Sequence, residues 1–186
     1  MCLHVTHTFI DTLRTHLAGV LIRNPEWSDA LEPFKLEGAW TANDWKTVQD
    51  IVENSCAHSP ELSIGKLLLA LRSRDEKVIE DALSLARSEF GQPIGSGGPH
   101  SYRRTYDASV YLHMVEELAM ISRDIMEPAR PRRSGRERKP SELSKYLNNR
   151  YDSVLPSYRT LEPILSIRRT VLDLLYVPSH ICIEYG

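Results

Sequence analysis

The sequence predicts an all-α fold, a solenoid of helical hairpins with about eight helices. Three observations carry this. Large apolar and aromatic side chains recur at helical spacing, most clearly in the run Ser101–Leu118, where Tyr102, Tyr106, Val110, Met114 and Leu118 stand four apart. Arg103, Arg104, Asp107 and Glu116 occupy the opposite face of that run, so the stripe must lie against other helices. Finally, helix-sized segments are separated by short breaks carrying Pro, Gly, Asn or Asp, and no alternating strand pattern extends beyond a few residues.

Each element follows from local chemistry. From Phe9 to Ile22 the residues Phe9, Leu13, Leu17, Val20 and Leu21 share a face, and Asn24-Pro25 stops the helix. A second helix is expected from Trp27 to Trp40, with Leu31, Phe34, Leu36 and Trp40 as core and Pro33 shifting its start or kinking it. Asn43 or Asp44 caps a third, through Trp45, Val48, Ile51 and Val52. Ser59-Pro60 reads as cap and first helical residue of a fourth, through Leu62, Ile64, Leu67, Leu68 and Leu71. Ser73 to Glu76 fits a capping box, with Asp75 as the alternative cap. The helix that follows buries Val78, Ile79, Ala82, Leu83, Leu85 and Ala86 and ends near Gly91, where Gly91–Pro99 forms a turn or a flexible connection. The run of the opening paragraph extends from Ser101 to Met126. Two more helices, Ser141–Leu155 and Leu161–Tyr176, follow a break rich in Arg and Pro. Between Trp27 and Phe90 a helix of roughly 16 residues alternates with a short turn, and two such helices approximate a ~34-residue, tetratricopeptide-like hairpin in degenerate form.

Composition narrows the functional classes. The 186 residues are 41 % hydrophobic and 26 % charged, the balance of a globular protein. A net charge of −2 argues against whole-surface attraction to nucleic acid or an anionic membrane. Cys2, Cys56 and Cys182 form no disulfide framework and no zinc spacing, which suggests a reducing compartment. No apolar run approaches the ~20 residues of a membrane span, and the first residues lack the apolar core of a signal peptide.

Candidate sites are few. Arg130, Arg132, Arg133, Arg136, Arg138 and Lys139 place six basic residues in ten positions, offset by Glu137 alone. Such a run suits nuclear import or phosphate contact, and Ser134 and Ser141 behind it suit a basophilic kinase. A solvated, charge-rich loop is the alternative. His4, His7 and His16, or Cys56-Ala-His58, match no zinc motif. His113 reads as a hydrogen-bonded packing histidine, since no nucleophile lies near it in sequence. Gly95-Ser-Gly-Gly98 has neither the lysine of a phosphate loop nor the strands of a kinase glycine loop. No Asp-Phe-Gly, catalytic His-Arg-Asp or Gly-x-Ser-x-Gly occurs, so catalysis is not expected of this chain and no cofactor is implied. Trp27, Trp40 and Trp45 are expected at helix junctions.

Four blocks carry a family resemblance. They are Asn24-Pro-Glu-Trp-Ser-Asp-Ala-Leu31 with Glu37-Gly-Ala-Trp40 and Asp44-Trp45; Ile64-Gly-Lys-Leu-Leu-Leu-Ala70 with Arg74-Asp75; Ser101-Tyr102-x-Arg104-x-Tyr106 with Leu112-His113-Met114-x-x-Glu117-Leu118; and Tyr158-Arg159 with Glu162-Pro-Ile-Leu-Ser-Ile-Arg168-Arg169. Their order and spacing, over about Gly19 to Leu175, resemble the FAT region of phosphatidylinositol-3-kinase-related protein kinases of the ATR type. The resemblance implies a curved, non-catalytic helical solenoid supporting a kinase domain that this chain lacks. It further implies a nuclear DNA-damage checkpoint kinase, protein partners (the kinase domain, neighbouring helical repeats and a partner subunit) and no direct contact with nucleic acid. Tyr102, Arg104, His113 and Glu117 then read as packing and interface residues. The domain reading is a poorly matched lead over 1–18, FAT-type repeats over 19–126, a basic linker over 127–140, a helical pair over 141–176 and an unmatched tail over 177–186. That tail and the lead suggest a fragment or a truncated gene model, one expected to show poor solubility or self-association when expressed alone. The alternative is a stand-alone helical-repeat adaptor that binds a peptide or protein partner.

Overall fold

The computed structural model describes residues 2–55, 58–96, 101–126 and 142–176. The all-α expectation holds: the described residues form eight α-helices and one 3-10 turn and contain no strand. The chain divides into two compact units, Met1–Leu69 and Ala70–Gly186.

The first unit holds α1 (Cys2–Arg23), the 3-10 turn Pro25–Trp27, α2 (Ser28–Thr41), α3 (Trp45–Asn54) and most of α4 (Pro60–Ser73). Helix α1 starts at Cys2, ahead of the expected Phe9, because no Pro or Gly interrupts the residues between. Pro33 is the sixth residue of α2 and leaves the helix unbroken, forfeiting only the backbone bond to the Asp29 carbonyl. After α2 the chain turns through Asn43, in the left-handed region at φ 59°, a conformation that asparagine tolerates better than most residues. Asp44 then caps α3, its Oδ1 accepting from the Thr47 amide at 3.2 Å and its Oδ2 from the Thr47 hydroxyl at 2.8 Å. Ser59 caps α4 through the Leu62 amide, as expected.

Leu36, Trp40, Val48, Ile51, Ile64, Leu67 and Leu68 are buried in this unit. A Cβ built on Gly65 would lie 3.3 Å from both Leu36 Cδ2 and Val52 Cγ2, so α4 lies close against α2 and α3 at a point where only glycine fits without adjustment. Phe34 was expected in the core but is 59 % exposed. Leu36 and Trp40 set the inward direction of α2, and a residue two before Leu36 points away from it.

The second unit comprises the end of α4, α5 (Glu76–Gly95), α6 (Tyr102–Met126), α7 (Glu142–Asp152) and α8 (Tyr158–Tyr176). Arg74 turns the chain in the left-handed region, at φ 56°. Of the two candidate caps for α5, Asp75 is the one used: its Oδ1 accepts from the amides of Lys77 and Val78. Helix α5 does not end near Gly91. It continues through Pro93 to Gly95 because Phe90 anchors its last turns, stacking on Tyr111 with ring centroids 5.0 Å apart. Ile79, Leu83, Ala86 and Phe90 form its buried stripe, leaving the expected core residues Val78 and Leu85 exposed on the neighbouring face. Helix α8 starts at Tyr158, ahead of Leu161, since Ser157 accepts the Thr160 amide as cap. Helix α7 stops at Asp152, short of Leu155: the Ser153 hydroxyl closes on the Arg150 carbonyl, and Pro156 follows.

Pairings fix the helix directions here. Arg87 with Glu116 and Phe90 with Tyr111 make α5 and α6 antiparallel. Tyr106 with Thr160 and Glu117 with Arg168 make α6 and α8 parallel. This alternation is that of successive helical hairpins. Helix α6 contacts α5, α7 and α8, so its second half is buried beyond the expected stripe, at Val115, Glu117, Ala119, Ile121 and Ser122 as well as Met114 and Leu118. Its first turn falls outside this packing, which leaves the expected stripe residue Tyr102 exposed.

Candidate functional site: a buried carboxylate joining three helices

Glu117 lies at the centre of the second unit with 1 % of its surface exposed. A lone carboxylate there would be costly, and the neighbouring helices supply the compensation. Arg168 of α8 donates from Nε to Oε2 at 2.9 Å and from Nη2 to Oε1 at 2.7 Å, a two-pronged charge-assisted pair. One turn back on α6, His113 Nε2 lies 3.0 Å from Oε1. An ionised carboxylate only accepts, so this nitrogen carries the proton. Arg150 of α7 brings a second guanidinium, with Nε 4.0 Å from Oε1.

These cations also tie backbone to backbone. Arg168 Nη2 reaches the Leu147 carbonyl of α7 at 3.3 Å, and Arg150 Nη2 reaches the His113 carbonyl of α6 at 3.4 Å. Arg150 Nη1 donates to the Tyr146 hydroxyl, and the guanidinium lies 5.6 Å from that ring's centroid. Arg150 Nε is buried without a hydrogen-bond partner. Burial pushes the Glu117 carboxyl up, but the bonds from His113 and Arg168 and the Arg168 charge more than offset this and hold it below the usual glutamate range. Both carboxylate oxygens are occupied by donors. The node therefore sets the relative register of α6, α7 and α8; it presents no nucleophile beside a base.

A second feature belongs to the first unit. Helices α1, α2 and α3 enclose a groove of about 560 Å³ lined by Leu13, Leu17, Ala18, Leu21, Phe34 and Ile51, with Arg14, Glu32, Lys35 and Asp50 among its polar residues. Near it, Arg14 pairs with Asp44 at 2.6 Å, so one carboxylate serves α1 and the α3 cap together. The Asp44 carboxyl is raised by burial and lowered more by the Thr47 bonds and Arg14, for a net downward shift.

His113 is the hydrogen-bonded packing histidine expected, and Glu117 is an interface residue between helices. Arg104, grouped with them in the sequence, is exposed, and Tyr102 is exposed with its ring stacked on Tyr106. Trp40 is buried, whereas Trp27 sits half-exposed on its 3-10 turn. The basic residues Arg130, Arg132, Arg133, Arg136, Arg138 and Lys139, with Ser134 and Ser141, lie outside the described residues. Cys56 does too, while His16 and His58 are exposed; among the described residues no group of three His, Cys, Asp or Glu side chains could hold a metal. No described helix is long and apolar enough to cross a membrane. Sequence reasoning placed Glu117 among the packing and interface residues but missed the convergence of Arg150 and Arg168 on it. The available signal was a His–Glu pair at i and i+4 flanked by Met114 and Leu118.

The FAT domain family matches residues 32–177, a span that contains the whole node. The chain belongs to the FAT domain family. This FAT domain is similar to serine/threonine-protein kinase ATR of Arabidopsis thaliana, 24 % identical over 187 residues that cover 92 % of the chain and 7 % of the kinase. It is also similar to serine/threonine-protein kinase ATR of Oryza sativa subsp. indica, 22 % identical over 189 residues covering 95 % of the chain and 7 % of the kinase. The FAT chain thus spans about 7 % of the length of these curated relatives. No solved structure matches it with significance.

Proposed function

We propose that this FAT domain is a non-catalytic helical support of an ATR-like serine/threonine protein kinase in nuclear DNA-damage checkpoint signalling. Its partners would be the kinase domain, neighbouring helical repeats and a partner subunit. The observation that carries this reading is the FAT match over 32–177, together with kinases named ATR as relatives along more than nine-tenths of the chain. The Glu117 node supports it, since its ionisable groups are spent on holding helices in register. In this reading the FAT-type segments are 19–126 and 141–176, and the basic run Arg130 to Lys139 serves import or phosphate contact, with Ser134 and Ser141 as phosphate acceptors.

The test begins with the full-length transcript, which should encode a kinase domain in the same frame. Glu117→Ala in that parent should lower phosphorylation of a Ser-Gln peptide severalfold while the protein stays soluble. A dominant transcript that stops directly after Gly186 would overturn the reading, as would a parent whose activity ignores the substitution. The groove between α1, α2 and α3 favours a second reading, a stand-alone adaptor that binds a peptide there. Under it, Phe34→Asp would abolish binding of an amphipathic peptide without changing helix content.

A further inference from the structure

Helices α6 and α8 run parallel, so their first residues emerge at the same end of the second unit. Both open with the dipeptide Tyr-Arg, as Tyr102-Arg103 and Tyr158-Arg159. The two tyrosines are 77 % and 84 % exposed. Arg103, Arg104 and Arg159 are exposed too, and no ion pair engages them among the described residues. Asp107 and Glu162 lie one turn further along their helices and pair with none of them. The surface is held in place from below. The Tyr102 ring stacks on Tyr106 with centroids 6.3 Å apart, and the Tyr106 hydroxyl bonds the Thr160 hydroxyl at 3.2 Å.

We infer that this end of α6 and α8 docks an acidic segment of a protein partner. Large aromatic rings and arginines on a rigid support are the side chains that dominate protein interfaces, because the rings bury much area at little loss of freedom and the guanidinium pairs through a fixed planar fork. Three uncommitted guanidinium groups set the sign of the partner's charge, and their planar fork matches a carboxylate two-to-two. The chain's net charge of −2 works against a long polyanion, whereas a short acidic segment needs only this local patch.

The test uses the full chain and a fluorescein-labelled peptide that alternates Asp and Glu with Leu, read by anisotropy. Binding should weaken with added salt, and the Asn/Gln counterpart should bind at least about tenfold more weakly. The charge reversal R103E/R104E/R159E should lose about tenfold or more, while K46E/K66E on the other unit leaves binding unchanged. Should the triple variant lose helix content, Y102S/Y158S decides instead: it keeps every charge and should weaken binding severalfold. Failure of the acidic peptide to bind would overturn the assignment. Equal binding of its neutral counterpart would do the same, as would insensitivity to the surface variants or tighter binding of an oligothymidylate of equal charge.

Discussion

Replacing Glu117 with alanine is expected to destabilise the second unit by about 3–5 kcal/mol, the usual cost of breaking one partner out of a buried ion pair. The magnitude follows from what the substitution strands. Arg168 loses two charge-assisted bonds, of 2.7 and 2.9 Å, and His113 loses one of 3.0 Å. Bonds to charged groups contribute roughly 1.5–3 kcal/mol net each, and the desolvation already carried by the carboxylate reduces their sum. The side chain of Arg168, only 13 % exposed, is then left without its counter-charge. Against a typical domain stability of about 5–15 kcal/mol, this removes much of the margin. Urea unfolding followed by far-ultraviolet circular dichroism measures it, with Arg168→Met and the double variant E117A/R168M completing the cycle. The double variant should be clearly more stable than the sum of the single losses predicts, with a coupling of at least about 2 kcal/mol. A loss under about 1 kcal/mol for Glu117→Ala, or additive single losses, would refute the reasoning.

Three other outcomes follow from the same structure. Glu117 titrates lower in the folded than in the unfolded chain, so its contribution is present above the ordinary glutamate value of about 4.3 and drains away as pH falls through the depressed folded value; Glu117→Gln should flatten that acid limb in pH-dependent melting. Asp44→Ala removes the α3 cap and should cost about 0.5–2 kcal/mol, whereas Arg14→Ala breaks only a solvent-exposed pair and should cost under about 1 kcal/mol in the same urea series. Gly65→Val drives a branched side chain into Leu36 and Val52 and should cost about 1–3 kcal/mol, seen as a lowered melting temperature.

The legible part of the fold was the part written in local chemistry. Ser59-Pro60 marks the start of α4, Asp44 stands at the cap of α3, and the period-four run from Tyr102 sets the span of α6. Boundaries failed where tertiary packing outweighed a local breaker, as when Phe90 on Tyr111 carried α5 past Gly91 and through Pro93. Inward faces failed where a stripe reached beyond its neighbours, as at Tyr102, or where two adjacent faces were both apolar, as at Val78 and Leu85. The Glu117 node could not be read because Arg168 lies 51 residues from Glu117. A charged residue in a helix reads as solvated until the helices around it are placed, and only then does Arg168 become its neighbour.

The division at Leu69 also sorts the chain's chromophores. All three tryptophans, Trp27, Trp40 and Trp45, precede it, and all eight tyrosines follow it, from Tyr102 to Tyr185. Indole emission therefore reports on one unit, and the second-derivative phenol absorbance, resolved from the overlapping indole bands, on the other, without any label. A single denaturant titration read at both wavelengths shows whether the units lose their structure together or in turn. Every substitution named above carries its own internal reference in the unit it leaves untouched.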